Sequence, residues 1–158
     1  MKINLLYGEG DVLTGYTNLH PFAKEETEHL RIADVKNLDR FVENAEATEI
    51  IATDVIDYLM LHEIDTIIKH WITKLRIGGK IVLGGTDLHT VSKAFANYTI
   101  DVDAINMLLH GSQTEPHLVK RVNLTLTGLC TFLNEACGLK IIKRRMAGYN
   151  YLVEAHRV

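Results

Sequence analysis

The sequence predicts an α/β fold whose sheet is mostly parallel and closes on an antiparallel C-terminal hairpin. Three observations lead there. Short apolar runs of strand length recur along the chain, separated by turn residues and helical patterns. The clearest helical stripe, within residues 62–75, runs into Gly78-Gly79 and then the wholly apolar triplet Ile81-Val82-Leu83, as a buried parallel strand requires. A final helical pattern is followed by two strands joined by Met146-Ala147-Gly148, and two strands so joined pair antiparallel.

Taken in order, residues 3–7 read as a buried strand and residues 16–19 as a short second one, closed by His20-Pro21. Between them, residues 8–15 are too few for a proper helix. The polar stretch 23–29 leads to a strand at 30–33. The apolar residues Leu38, Phe41 and Val42 predict a short helix over 38–44, and residues 49–53 give the next strand. In the 62–75 helix, Ile64, Ile67, Ile68, Trp71, Ile72 and Leu75 share one face, and Gly78 suits the left-handed position after a helix end. Ile81-Val82-Leu83 is a central strand, with Gly84-Gly85-Thr86-Asp87 as the turn after it. Helices at 88–98 and 101–109 follow, the second begun by an aspartate and stopped before Gly111, and then a polar loop at 111–116. Thr125 caps a last helix that turns Leu126, Leu129, Cys130, Leu133 and Cys137 inward and stops at Gly138. Strands at 139–142 and 149–155 make seven in all.

With 158 residues, 47% of them hydrophobic, the chain reads as one domain, residues 1–158, with a real core. A net charge of −3 and no dominant basic run argue against a dedicated nucleic-acid surface. The N-terminal apolar run is too short for a signal peptide, and no stretch is long enough to span a bilayer, so a cytoplasmic location is expected. The two cysteines, Cys130 and Cys137, read as small core residues. The eight histidines include no i, i+4 pair beside an acid, and no metal site is expected.

The chemistry-bearing signal is Gly8-Glu9-Gly10, where the first strand breaks. Without a Cβ the backbone turns tightly and comes close to a ligand. With this turn, Asp34-Val35 after the third strand, Thr53-Asp54-Val55 after the fourth, Leu75-Arg76-Ile77-Gly78-Gly79-Lys80-Ile81 before the fifth, and the closing stretch from Leu133 to Ile142, the chain resembles the class I S-adenosylmethionine (SAM)-dependent methyltransferases. It resembles a short member with an abbreviated first helix. The resemblance implies a three-layer, Rossmann-like methyltransferase sheet, SAM as cofactor and S-adenosylhomocysteine as product. It also implies that Gly8, Glu9, Gly10, His20, Asp34, Val35, Thr53 and Asp54 bind that cofactor. The family often has an acid at the end of its second strand for the ribose hydroxyls, where this chain has His20. Imidazole cannot serve both hydroxyls as a carboxylate does.

Each residue also has a plainer reading. Glu9 and Asp11 either meet the ammonium of SAM or are solvated loop charges. Asp34 either contacts adenine or, by itself or with Asn37, caps the next helix, and the two are compatible. Asp54 and Asp57 stand at the carboxyl edge, where open α/β sheets bind ligands, or merely cap a turn. For a general base the candidates are Asp57, His89 and His117. The segment 87–122, with its loop at 111–117, is placed to cover the methyl group and to move when substrate binds.

The expected activity is methyl transfer from SAM to an unidentified acceptor, either a small molecule or a glycan. A scaffold on the same fold that has lost catalysis is the first alternative. The second is a nucleotide-cofactor oxidoreductase, against which Gly15 comes too late to be the third glycine of a dinucleotide fingerprint.

Overall fold

The computed structural model describes all 158 residues. Seven strands form one sheet: β1 (Lys2–Leu5), β2 (Thr17–His20), β3 (Leu30–Ile32), β4 (Ala47–Ala52), β5 (Leu75–Thr86), β6 (Leu139–Ala147) and β7 (Asn150–Arg157). Four helices accompany them: α1 (Ile64–Lys74), α2 (Leu88–Ala96), α3 (Val102–His110) and α4 (Leu126–Thr131). The strand order is β3-β2-β1-β4-β5-β7-β6, and only β7 runs against its neighbours.

That order decides what covers each face. The connections β3→β4, β4→β5 and β5→β6 cross the sheet in one direction, whereas β1→β2 and β2→β3 cross in the other. Right-handed crossovers therefore put the first three on one face and the last two on the opposite face. On the first face Ile3, Leu5, Ile50, Ile81, Leu83 and Val153 join one buried cluster with Ile67, Ile68 and Trp71 of α1 and Leu129 and Leu133 of α4. Trp71 is fully buried, and its indole N–H donates to the Val35 carbonyl at 2.8 Å.

On the opposite face the third layer is reduced to loops. Residues 6–16 and 21–29 contain no helix. The first loop is lashed to the sheet by two buried asparagines. Asn4 Nδ2 donates to Asp11 O at 2.9 Å and to Asn18 Oδ1 at 2.8 Å. Asn18 Nδ2 lies within bonding distance of the Leu13, Tyr16 and His29 carbonyls, and its Oδ1 accepts from Leu13 N at 2.9 Å. Two side-chain amides thus satisfy backbone that a helix would have satisfied internally. Further along this face a charge ladder crosses the strands, from Lys2 to Glu49 at 3.4 Å, Glu49 to Lys80 at 3.1 Å and Lys80 to Glu154 at 3.8 Å.

Several elements differ from expectation. The helix over 38–44 does not form. Phe41 N and Val42 N both return to Leu38 O, one turn closes, and Ala45 then takes a left-handed φ of 60°. Local polar groups hold this segment instead, with Asp39 N on Asn37 Oδ1, Leu38 N on His70 Nε2, and Lys74 Nζ on Asp39 and Asn44. Gly78 does not end a helix, because α1 stops at Lys74 and Leu75 already belongs to β5. The Arg157 guanidinium takes the carbonyls of Ile72, Thr73 and Leu75 at that end, and Gly78 bends the strand where the β4–β5 register shifts.

Gly84, Gly85 and Thr86 are strand and not turn, because β7 pairs across them at Leu152, Tyr151 and Asn150. The hairpin turn is Gly148 and Tyr149, so Met146 and Ala147 lie in β6, and that strand carries a bulge between Ile141 and Lys143. β1 ends at Leu5, two residues short of the expected Tyr7. The last helix, capped as expected by Thr125, widens beyond Thr131 into a turn with an i→i+5 bond from Cys137 N to Phe132 O. No helix is long and apolar enough to cross a membrane.

Candidate functional site

The carboxyl ends of β1, β2, β4 and β5 bring the glycine turn, His20, Asp54 and Thr86 to one edge of the sheet. The turn packs on β4's loop at close range. A Cβ on Gly8 would fall 2.3 Å from Asp54 Oδ2 and 2.9 Å from the Tyr58 hydroxyl, so only glycine lets that carboxylate reach the backbone. Asp54 Oδ2 accepts from Glu9 N at 3.2 Å, and the Tyr58 hydroxyl bonds the same carboxylate. Burial pushes the Asp54 carboxyl above its usual range, against the pull of the Glu9 N–H. No lysine, arginine or histidine pairs with it. Burial, then the charges of Asp54, Asp57 and Glu9, raises the Tyr58 hydroxyl.

Asp57 is a different kind of carboxylate from the loop base expected. It is 3% exposed, accepts from Thr86 N at 3.0 Å through Oδ2, and lies 3.5 Å from Lys120 Nζ. Its backbone carbonyl accepts from Arg121 N and Val122 N, so it ties the returning chain to the end of β4. Burial raises its pKa, opposed by Thr86 and Lys120. Lys120 completes its own set with Thr86 Oγ1 at 2.8 Å and Leu108 O at 3.1 Å. Sequence reasoning missed Lys120, because a lone lysine after a polar loop has no local signature.

Of the other candidate bases, His89 lines a cavity with Asp87, Thr125 and Met146 that shares no residue with the Glu9–Asp54 region. His117 stacks on Phe22, with centroids 4.1 Å apart, and meets the edge of Tyr7 at 6.1 Å. Tyr7 in turn stacks on Tyr58 at 5.1 Å and meets the edge of Phe22 at 5.1 Å. These four rings form a continuous cluster above the glycine turn, and the sequence distances between them hid it.

Two cavities lie beside residues of this group, one at Pro21, next to Phe22 in sequence, and one at Tyr58 itself. One, about 430 Å³, is lined by Pro21, Ile32, Ala33, Asp34, Arg40 and Phe41, on the β2–β3 side. Asp34 is exposed there and its Oδ1 accepts from Lys36 N at 2.9 Å, so it closes a turn and not the helix its plainer reading expected it to cap. Val35 buries its side chain fully in the core and gives its carbonyl to Trp71, so its N–H is its remaining polar group. The other cavity, about 230 Å³, lies between Glu9, Asp54 and Tyr58 on one side and Met107, Leu118 and Lys120 on the other. The segment 87–122 therefore does stand over the glycine turn. Its loop is folded back on itself, with Gln113 N on Leu118 O and Lys120 N on His110 O.

His20 is committed to the turn. Its Nδ1 accepts from Phe22 N at 3.0 Å and its ring bonds the Gly8 carbonyl, while burial lowers its pKa. Thr53 is exposed, and its carbonyl lies where a Cβ on Gly84 would meet it at 3.0 Å. A Cβ on Gly10 would meet the Leu6 side chain at 2.7 Å.

Solved structures match this arrangement of strands and helices. A SAM-dependent methyltransferase from Thermotoga maritima, described as a possible histamine N-methyltransferase, aligns with 100% of this chain and 83% of its own, at a TM-score of 0.64 and 11% identity. The fold is that of the class I SAM-dependent methyltransferases. A 1,6-didemethyltoxoflavin N1-methyltransferase from Burkholderia thailandensis, solved with its acceptor and S-adenosylhomocysteine, covers 99% of this chain and 72% of its own, with a TM-score of 0.59 and 13% identity. An O-methyltransferase family protein from the same organism covers 81% of this chain at a TM-score of 0.52 and 16% identity, and this chain spans only 35% of its length. No family model and no curated protein matches the sequence.

Proposed function

We propose that residues 1–158 act as one domain that transfers a methyl group from SAM to a small-molecule acceptor. The observation that carries this reading is the Asp54 carboxylate, seated on the glycine turn through Glu9 N and in salt-bridge contact with no cation, Lys120 acting on it only at longer range. A half-buried carboxylate without an ion-pair partner is costly, and a ligand bearing ammonium and sulfonium charges relieves that cost. SAM supplies an electrophilic methyl group on its sulfonium.

This chain's own residues have the rest of the work. Gly8, Glu9, Gly10 and Asp54 hold the methionine end, with the Thr53 backbone behind them. His20 fixes the turn beside the ribose. Asp34 and the Val35 N–H address the adenine in the cavity of Ile32 and Phe41. The class I fold and neighbours named for small-molecule acceptors support this assignment. The helix-free stretch 6–16 speaks against a dinucleotide, whose pyrophosphate uses a helix N-terminus after such a turn.

A second reading, a cofactor-binding or scaffold protein without catalysis, draws on His20 and on the Phe22–His117 stack. The His20 ring serves the chain itself, and Phe22 and His117 are packed on one another. Calorimetry with SAM, S-adenosylhomocysteine and NAD tests all of this. Binding of the first two but not NAD is expected; binding of NAD alone, or of none, overturns the methyltransferase reading.

A further inference from the structure

We infer, resting on the methyltransferase reading, that the acceptor is a compact amine with an apolar body. The acceptor has to enter the 230 Å³ cavity between Tyr58 and α3, because that cavity adjoins Glu9 and Asp54 and is roofed by the segment after β5. Its walls are of two kinds. Met107, Leu108, Leu118 and the Tyr58 ring offer apolar surface, and the polar lining is decided by charge.

Lys120 is the one cation in the lining, and it is spent. A lysine ammonium has three N–H donors. Those of Lys120 have Thr86 Oγ1, Leu108 O and the Asp57 carboxylate as partners. Asp57 and Lys120 therefore cancel, leaving the two negative charges of Glu9 and Asp54. SAM, with two positive groups and one carboxylate, neutralises one of them. The loaded chamber keeps one net negative charge. A carboxylate or phenolate would add a second beside Asp54, where like charges repel. An ammonium removes it, and the Tyr58 ring in the lining adds an aromatic surface that attracts onium groups.

The same carboxylates suit the chemistry. An ammonium must lose a proton before it attacks, and Asp54 stands in the lining of the same cavity as a carboxylate that burial makes more basic. The freed nitrogen lone pair forms the N–C bond as the C–S bond breaks, its electron pair staying on sulfur. The proton leaves through the carboxylate to water.

The test uses three molecules of one shape: 2-phenylethylamine, 2-phenylethanol and 3-phenylpropionate, with benzylamine and benzoate as a shorter pair. S-Adenosylhomocysteine is titrated first, and failure at that step overturns the methyltransferase reading itself. With S-adenosylhomocysteine saturating, calorimetry is expected to show amines binding at least tenfold more tightly than the alcohol, and no binding of the carboxylates. Label from methyl-tritiated SAM should pass to the amine alone. Met107→Trp, which fills the chamber from an exposed position, should remove amine binding and spare S-adenosylhomocysteine. Equal or tighter binding of the carboxylates, or no binding of any probe to the loaded protein, overturns the amine assignment while leaving the cofactor reading in place.

Discussion

The two faces of the sheet solve the same problem with different materials. One is covered by α1 and α4 and holds nearly all of the apolar core, including Trp71, Ile68 and Leu133. The other has only loops, two buried asparagines and a ladder of alternating charge. Parallel strands usually need apolar cover on both sides. This chain shows that side-chain amides can stand in for a helix where the connection is too short to form one. The difference also bears on the site. The glycine turn belongs to the lashed loop, and Asp54 and Asp57 follow a strand whose apolar side chains face the helices.

The comparison breaks most visibly on the helical face. Trp71→Ala should cost about 3–5 kcal/mol, as large-to-small changes of buried aromatic residues do, read as a lower urea midpoint. A loss below about 1 kcal/mol would mean that this face does not carry the core. On the lashed face, Asn18→Leu should cost about 1–3 kcal/mol, because it strands several backbone groups. It should also weaken S-adenosylhomocysteine binding by freeing residues 8–16. Full retention of cofactor affinity would separate the lash from the site.

Asp54→Asn sharpens the junction between the two. The parent carboxyl has its folded pKa raised, so the folded state gives up stability as pH rises through that pKa and is penalised at neutral pH. The variant should therefore melt higher than the ligand-free parent at pH 7, with the gap closing as pH falls into the carboxylate range. Its affinity for SAM should drop at least tenfold. A variant that is less stable at pH 7 would show that Asp54 serves the fold and not a ligand. The smallest effect belongs to the ladder. Lys80→Ala should cost less than about 1 kcal/mol, and high salt should erase the difference.

The sequence made an element readable where a local signal matched its local use, as in the buried triplet Ile81-Val82-Leu83 and the Thr125 cap, although the glycines on both sides of that triplet proved to be strand. It misled at residues 38–44, where an apolar pair at helical spacing is used by tertiary bonds from His70 and Lys74. It misled again at Gly78, because the helix end is satisfied by Arg157 from the far end of the chain. The glycine turn and Asp54 could be read from local pattern. Lys120 and the rings of Tyr7, Phe22, Tyr58 and His117 could not, since their meaning comes from contacts between residues up to about a hundred positions apart in the chain. The three bases weighed, Asp57, His89 and His117, all fell outside the chamber's lining, because burial, helix placement and ring stacking, which spacing does not encode, decide where they point.

The bulge in β6 has a consequence for life at high concentration. An outermost strand offers unpaired amides and carbonyls to any other strand it meets, and that is how fibrils are seeded. Here the outermost strand is interrupted after Ile141 and carries Lys143, Arg144 and Arg145, all exposed, so a second copy arriving edge-on meets a kink and three like charges. The opposite border is only three residues long, and Glu26 and Thr27 already occupy the Ile32 and Leu30 backbone. Polyanions that mask the basic border should therefore turn a well-behaved solution cloudy sooner than heat-neutral salts do.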